Sequence, residues 1–179
     1  MKNIVIYWMR WTWKSSIWKI LSREIGRDFI DLDLYISQKI WQDLSSFIKT
    51  NWWDEFRNIE YKYLNELLNN VNNSIISLWW WTIIFERNQE IILKNNPILI
   101  YIYSDINSII SRINIDEQVW KNRTSLTWKS LTEELKEVYN FRKNIYEKFY
   151  NLKINNEWNI NNSLYLITEY LNNIDKNEK

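Results

Sequence analysis

The tryptophans of this chain stand at positions where glycine is usually required, and this feature constrains the fold more than any other. The 179 residues include thirteen tryptophans and a single glycine, Gly26. Ordinary glycine usage would give roughly twelve or thirteen glycines. Trp79, Trp80 and Trp81 are consecutive, so neither a helix nor a strand could bury all three on one face. This distribution predicts that most of the tryptophans occupy glycine positions.

The first such group lies in a phosphate-binding pattern. Residues 8–15 read Trp-Met-Arg-Trp-Thr-Trp-Lys-Ser. With glycine at Trp8 and Trp13, the segment becomes G-x-x-x-x-G-K-S, the P-loop, whose backbone N–H groups surround phosphate oxygens. An apolar run precedes the motif and a helical pattern follows it, which is the strand–loop–helix context that the motif requires. As written, Trp13 would block the phosphate cradle, and Lys14 would simply begin an ordinary helix.

Our hypothesis for this pattern is a difference in genetic code, which would need no structural cause. In one variant code UGA specifies tryptophan, and in another it specifies glycine. A gene of the second kind, translated with the first table, would place tryptophan at glycine positions. We therefore interpret the tryptophans of the P-loop pattern and of the triplet at residues 79–81 as glycines of the cellular protein.

The composition narrows the possible chemistry. The chain has no cysteine and no histidine, which excludes disulfides, thiolate metal sites and an imidazole base. Its formal net charge of +1 gives no strong field for nucleic acid or for an anionic membrane. No apolar run approaches the roughly 20 residues of a membrane span, and the chain begins directly with a strand pattern rather than a signal peptide. We expect a cytoplasmic protein that binds neither nucleic acid nor membrane.

Apolar strands and amphipathic helices alternate along the chain. The predicted strands cover residues 3–7, 28–33, 74–78, 97–103 and 152–155. The helical pattern of residues 34–68 is interrupted near Trp41 and again at residues 51–53. This alternation predicts a parallel α/β sheet with right-handed crossovers. The polar stretch of residues 114–129 is long enough to form a mobile loop.

Two acids and one arginine are candidates for chemistry. Asp31 and Asp33 end the second predicted strand, where alternate residues share a face, so both carboxylates would point the same way. That end of a parallel sheet faces the ligand crevice, although an isolated pair of acids also fits a solvated turn. Arg57 and Glu60 lie one helical turn apart and could form a surface ion pair worth little. Alternatively, Arg57 would bind a substrate carboxylate through two hydrogen bonds.

Together these segments resemble the shikimate kinase family over nearly the full length of the chain. The resemblance depends on five segments in the right order, which are residues 8–16, residues 31–33, residues 52–57 with Glu60, residues 79–82, and Arg123 with Arg142. In that family the triplet is Gly-Gly-Gly, and glycine stands at the position of Trp52. Trp18 and Trp41 also fall where the family often has glycine. The tryptophans at positions 53, 120, 128 and 158 are compatible with either residue.

The resemblance implies a fold, an activity and a cofactor. The fold is a P-loop NTPase three-layer α/β/α sandwich with a five-stranded parallel sheet and a mobile lid. The activity is transfer of the ATP γ-phosphate to the 3-hydroxyl of shikimate, a step in aromatic amino-acid biosynthesis, with Mg²⁺ as cofactor. One domain would cover residues 1–179, with a substrate-binding helical region at about residues 33–62 and the lid at about residues 113–126. A monomer that binds shikimate and ATP is expected.

The resemblance also implies a role for each site residue. Asp33 would bind the substrate hydroxyls and orient or deprotonate the one attacked, while Arg57 and Arg142 would bind the shikimate carboxylate. The backbone at Trp79, Trp80 and Trp81 would line the shikimate site. The nucleotide-binding set is Trp8, Trp11, Thr12, Trp13, Lys14, Ser15, Ser16, Arg112 beside the adenine, and Arg123 in the lid. The implied catalytic residues are Lys14, Asp33 and Arg123, and the implied metal-binding residues are Ser15 and, through a bound water, Asp31.

Two departures and two alternatives accompany this resemblance. The family's lid usually reads Arg-Pro-Leu-Leu, whereas residues 123–126 here read Arg-Thr-Ser-Leu, and the stretch between Arg112 and Arg123 is longer than in some members. One alternative is another small-molecule P-loop kinase, such as a gluconate kinase. The other is a non-catalytic shikimate kinase-like module, which is favoured if the tryptophans are genuine, because their indoles would overpack the turns.

Overall fold

A parallel β-sheet forms the middle layer of the structure. The computed structural model describes residues 1–8, 14–115, 131–156 and 160–177. The described strands are β1 (Ile4–Trp8), β2 (Phe29–Asp31), β3 (Ile75–Ser77), β4 (Ile98–Tyr103) and β5 (Leu152–Asn155). They lie in the order β2-β3-β1-β4-β5, and each neighbouring pair is parallel. The predicted five-stranded parallel sheet is confirmed.

Helices cover both faces of this sheet. They are α1 (Lys14–Ile25), α2 (Leu32–Ile40), α3 (Leu44–Asn70), α4 (Glu86–Lys94), α5 (Ile106–Ile115), α6 (Leu131–Tyr146) and α7 (Ile160–Asn177), with a short 3₁₀ turn at Thr82–Ile84. The side chains of β1 alternate between two cores because strand residues point to opposite faces. Ile4 and Ile6 pack with α1 and α7, whereas Val5 and Tyr7 pack with the helices of the other face. Among the described helices, none combines the length and apolar character that crossing a bilayer would require.

Parallel pairing brings the carboxyl ends of three strands to one edge of the sheet. Asp31 in β2 lies beside Ser77 in β3, and Ser77 lies beside Ile6 in β1. The segments that follow these strands are α2, the turn of residues 79–81, and the connection to α1, which begins at Lys14. The geometry therefore brings together the strand ends from which three of the predicted site segments continue. Residues 9–13, with Trp11, Thr12 and Trp13, lie outside the described residues, as do Arg123 and most of the predicted lid.

The second strand is shorter than predicted. β2 ends at Asp31, and the Oδ1 atom of Asp31 accepts hydrogen bonds from the backbone N–H groups of Asp33 (3.0 Å) and Leu34 (3.4 Å). Asp31 is thus the N-cap of α2, and Asp33 lies in the first turn of that helix. The prediction that both carboxylates share one face of a strand is wrong. The physical reason is that a carboxylate at this position satisfies amide groups that a new helix leaves without partners.

A polar contact fixes α2, which carries Asp33, against α3, which carries Arg57. The Tyr35 hydroxyl donates to Glu66 Oε1 at 2.9 Å, and Lys39 Nζ donates to the same oxygen at 2.6 Å. These bonds hold the two helices of the predicted substrate-binding region next to each other.

The two predicted interruptions of the helical region are confirmed, and both occur at tryptophan. Trp41 ends α2 in the left-handed conformation (φ 56°, ψ 31°), and Trp52 interrupts α3 (φ 66°, ψ 167°). The described residues with positive φ are these two tryptophans, Gly26, Asn73 and Asn96. Asparagine tolerates the left-handed region, but the conformation of Trp52 is essentially restricted to glycine. The backbone at both positions therefore favours glycine.

Replacing Trp52 with glycine is expected to raise the free energy of unfolding by about 1–3 kcal/mol, because the strained conformation costs about that much for a residue with a Cβ. Little burial would be lost, since Trp52 is 77% exposed. Thermal and urea denaturation would measure the change. Trp53→Gly is the matched control, because the neighbouring residue has helical φ and ψ and its ring stacks on Trp79. Trp53→Gly should lower the free energy of unfolding by about 1 kcal/mol or more. Equal destabilisation by both variants would contradict the assignment of backbone strain to Trp52.

Candidate functional site

A buried ion pair lies next to the turn that follows β3. Arg57 Nη1 donates to Glu60 Oε2 at 2.8 Å, and the two side chains are only 9% and 1% exposed. The hydroxyl of Thr82 donates to the other Glu60 oxygen at 2.8 Å. Asn88 Nδ2 lies 3.5 Å from Glu60 Oε2 and donates to the Thr82 carbonyl at 2.9 Å. The alternative of a surface ion pair is therefore wrong, and Glu60 instead anchors Arg57 to the turn and to α4.

Aromatic rings enclose the Arg57 guanidinium. Its central carbon lies 4.8–5.8 Å from five ring centroids, which belong to Trp53, Phe56, Trp79, Trp81 and Phe85. Trp79 also stacks on Trp53 at 6.0 Å and meets Phe56 edge-on at 5.4 Å. The Trp79 ring therefore fills space directly beside the guanidinium.

Arg142, the second predicted carboxylate-binding residue, lies at the same turn. Its side chain, on α6, is 2% exposed, and its guanidinium carbon lies 4.0 Å from the Trp80 ring centroid and 3.5 Å from that of Trp81. Within the part of the chain that the structure describes, its Nε and Nη1 atoms have no hydrogen-bond partner. The indole rings of Trp80 and Trp81 thus lie directly against the Arg142 guanidinium.

The two guanidinium groups give this site an excess of positive charge. Burial lowers the pKa of Arg142 to about 10, and the nearby charge of Arg57 also lowers it, against an opposing effect of Tyr146. Arg142 is therefore still protonated at neutral pH. Glu60 supplies one carboxylate and pairs directly with Arg57. A buried cation whose donors lack partners is costly, so the site favours an anionic ligand such as a carboxylate.

The turn of residues 79–81 lies beside both Arg57 and Arg142. Its residues are half-buried, and its backbone is held by hydrogen bonds from Thr82 N to Trp79 O (2.9 Å) and from Ile84 N to Trp81 O (3.0 Å). The hydroxyl of Tyr146 donates to the carbonyl oxygen of Trp80. None of these three residues has a positive φ. The small residues that the resemblance implies here would therefore provide space between the arginines rather than relieve backbone strain.

The predicted nucleotide side is described only in part. Trp8 ends β1 and is buried, at 4% exposure, beside Trp18 of α1. Lys14, Ser15 and Ser16 form the first turn of α1, so the strand and helix that flank a P-loop are both present. Arg112 belongs to α5, which follows β4.

Sequence reasoning missed three residues of this site. In the sequence Thr82 is marked only by its place after the tryptophan triplet, and Asn88 carries no signal that sets it apart on α4. Tyr146 follows Arg142 by one helical turn, so the two side chains share a face. This spacing was the available signal, but the contact of Tyr146 with the turn depends on tertiary packing.

Comparison with known proteins identifies relatives of the whole fold. Residues 12–174 match the family model described as shikimate kinase. A shikimate kinase of Streptococcus thermophilus is 31% identical over 134 residues, which are 75% of this chain and 78% of that protein. Shikimate kinase 2 of Photorhabdus laumondii is 28% identical over 133 residues, 74% of each chain. The structure of an Acinetobacter baumannii shikimate kinase in complex with shikimate superposes with a TM-score of 0.77 at 24% identity, covering 99% of this chain and 94% of that one.

Proposed function

Because this chain belongs to the shikimate kinase family, and is therefore an ATP-dependent kinase that phosphorylates a hydroxyl of shikimate, we propose that the site between Arg57 and Arg142 receives the shikimate carboxylate. The observation that carries the proposal is the buried Arg142 guanidinium, whose Nε and Nη1 atoms have no partner among the described residues. A carboxylate can accept two parallel hydrogen bonds from such a planar fork. Arg57, held by Glu60, would complete the carboxylate site.

The acceptor hydroxyl would lie near Asp33. α2 begins where β2 ends, at the same edge of the sheet as the turn of residues 79–81. The oxygen of the 3-hydroxyl would attack the γ-phosphorus, the bond to the bridging oxygen would break, and ADP would leave. Asp33 would orient the hydroxyl and accept its proton. Phosphoryl transfer depends mainly on positioning and charge neutralisation, so the lack of histidine is no obstacle.

ATP would bind at the amino end of α1. The loop of residues 9–13, together with Lys14, Ser15 and Ser16, would surround the phosphates, aided by the dipole of a twelve-residue helix. Arg112 would contact the adenine, and Arg123 would reach the phosphates from a lid. These nucleotide contacts remain predictions from the resemblance.

The described residues are compatible with a kinase magnesium site. They include no group of three or more histidine, cysteine or acidic side chains that could hold a metal by itself. Mg²⁺ in kinases does not need such a group, because it keeps several waters and shares oxygens with the substrate phosphates. Ser15 would contribute its hydroxyl and Asp31 would contact a metal-bound water. The bound metal would neutralise charge on the transferred phosphate.

We also propose that the cellular protein has glycine at positions 8, 11, 13, 18, 41, 52, 79, 80 and 81, and we call this chain the glycine form. The positive φ of Trp41 and Trp52 supports the proposal. The indoles of residues 79–81 support it too, because they lie against both arginines that would bind the carboxylate. Trp18 is fully buried, and its Nε1 has no partner among the described residues, which is costly for an indole N–H.

The test begins with peptide mass spectrometry of the protein from its native host. Glycine masses at positions 8, 11, 13 and 79–81 are expected; tryptophan masses would favour the non-catalytic module. The glycine form should then release ADP from ATP only when shikimate is added, as a coupled assay would show. Gluconate is the control acceptor, and ADP release with gluconate but not with shikimate would overturn the proposed acceptor. A monomeric state and a cytoplasmic location remain predictions of the sequence.

A further inference from the structure

Tyr146 connects three parts of the structure at the acceptor site. It is the last residue of α6 and is 1% exposed. Its hydroxyl donates to the backbone carbonyl of Trp80, while its own carbonyl oxygen lies 2.9 Å from the hydroxyl of Tyr7 in β1. Its ring packs against those of Tyr7 (6.0 Å) and Tyr101 (5.5 Å). The side chain therefore joins the end of α6, the central strands and the turn of residues 79–81.

The hydroxyl of Tyr146 also faces Arg142. The two residues are four positions apart on α6, so their side chains share a face of the helix. Burial raises the pKa of the Tyr146 hydroxyl, and the Arg142 charge is close enough to that hydroxyl to lower its pKa against this effect. A hydroxyl can accept one hydrogen bond and donate another at the same time. The hydroxyl gives its proton to Trp80 O, so its lone pairs are left beside the Arg142 charge.

We propose that Tyr146 is a positioning residue for the acceptor site, which sets the distance between the Arg142 guanidinium and the turn of residues 79–81. The proposal rests on the proposed role of Arg142 in binding the shikimate carboxylate. The bond is made to a backbone carbonyl, so it is available whether residue 80 is tryptophan or glycine. Without the hydroxyl, the position of the Arg142 guanidinium relative to the turn is less well fixed, and the carboxylate site becomes less ordered.

Tyr146→Phe in the glycine form tests this role. The phenyl ring keeps the packing against Tyr7 and Tyr101 and removes only the hydroxyl. We expect KM for shikimate to rise about 10-fold, the upper end of the effect usual for one lost hydrogen bond. KM for ATP should change less than about two-fold and kcat less than about three-fold, because the predicted nucleotide contacts do not include α6 or the turn of residues 79–81. Initial-rate kinetics with each substrate varied in turn would measure kcat and the two KM values separately.

Tyr139→Phe is the matched control. Tyr139 is a buried tyrosine on the same helix, and its hydroxyl lies 3.4 Å from the carbonyl oxygen of Ser104, at the end of β4. This variant should leave KM for shikimate within about two-fold of the parent. Equal increases in the two variants would assign the effect to general packing and would overturn the proposal.

Hydrogen exchange provides a measurement that does not depend on activity. In the free glycine form, amides of residues 78–84 should exchange several-fold faster in Tyr146→Phe than in the parent or in Tyr139→Phe. Unchanged exchange across this turn would overturn the positioning role even if the kinetics changed. If the parent itself shows no shikimate-dependent turnover, the proposed function fails while this exchange experiment still tests the contact.

Discussion

Asp33→Asn in the glycine form is expected to lower kcat by roughly 10²- to 10⁴-fold, the usual contribution of a positioned acid–base group. KM for shikimate should change only a few-fold, because asparagine can still hydrogen-bond the substrate hydroxyls. Asp33 lies half-buried in the first turn of α2, where its charge interacts favourably with the helix dipole. Neutralising it should cost less than about 1 kcal/mol of stability, so the fold should be retained. Steady-state kinetics at saturating shikimate, with thermal denaturation beside them, would measure both effects.

The control for this experiment is Asp43→Asn. Asp43 is the N-cap of α3, where its Oδ1 accepts from the backbone N–H of Ser46 at 2.9 Å. Asparagine caps helices about as well as aspartate, so this variant should keep both stability and kcat. Nearly full turnover by Asp33→Asn would remove Asp33 from any essential role. A loss shared by Asp43→Asn would instead indicate a general effect of removing an acid at a helix start.

Arg142→Met is expected to lower kcat/KM for shikimate by roughly 10²- to 10³-fold, mainly through KM, because two charge-assisted hydrogen bonds to the carboxylate would be lost. KM for ATP should stay within about two-fold. The free energy of unfolding should be unchanged or higher, because an apolar side chain of similar size replaces a buried cation whose donors lack partners within the described structure. Loss of substrate affinity without loss of stability is the distinguishing result.

Arg142 is a better target for this test than Arg57. Removing Arg57 would leave Glu60, which is 1% exposed, as an unpaired buried carboxylate. Such a change costs about 3–5 kcal/mol and would confuse folding with binding. Arg87→Met is the matched control, because Arg87 is an arginine of α4 that donates to Asn58 Oδ1 at 3.0 Å on the exposed surface. If Arg142→Met bound shikimate as well as Arg87→Met does, the carboxylate would have to bind elsewhere.

The local elements of this protein follow from its sequence. The apolar run of β4, the amphipathic pattern of α1 and the alternation of strands with helices are short-range properties, and each appears in the structure close to where it was predicted. The helix breaks at Trp41 and Trp52 were predicted from the pattern as well. The structure adds the reason, which is a positive φ at each position.

The pair of acids Asp31 and Asp33 shows where local reasoning fails. Asp31 and Asp33 fit a strand by spacing alone, but the carboxylate of Asp31 binds two amide groups and starts α2. Asp31 can either continue the strand or cap a new helix, but it cannot do both. A helix forms after Asp31 because α2 can pack, and it buries Leu32 and Ile36 in the core.

What the sequence determined by itself is the order of elements and the parallel α/β class of the fold. The family resemblance added the expectation of five strands and the prediction that Arg57 and Arg142 bind the carboxylate. Only the tertiary structure decided how these arginines are used. Arg57 pairs with Glu60, which Thr82 and Asn88 also contact. Within the described structure, Nε and Nη1 of Arg142 have no partner, beside a turn that Tyr146 contacts. The residues in these contacts come from α3, α4, α6 and residues 80–82 after β3, which are far apart in the chain. Periodicity reports on neighbours within one element, and only packing determines which buried charges meet a partner.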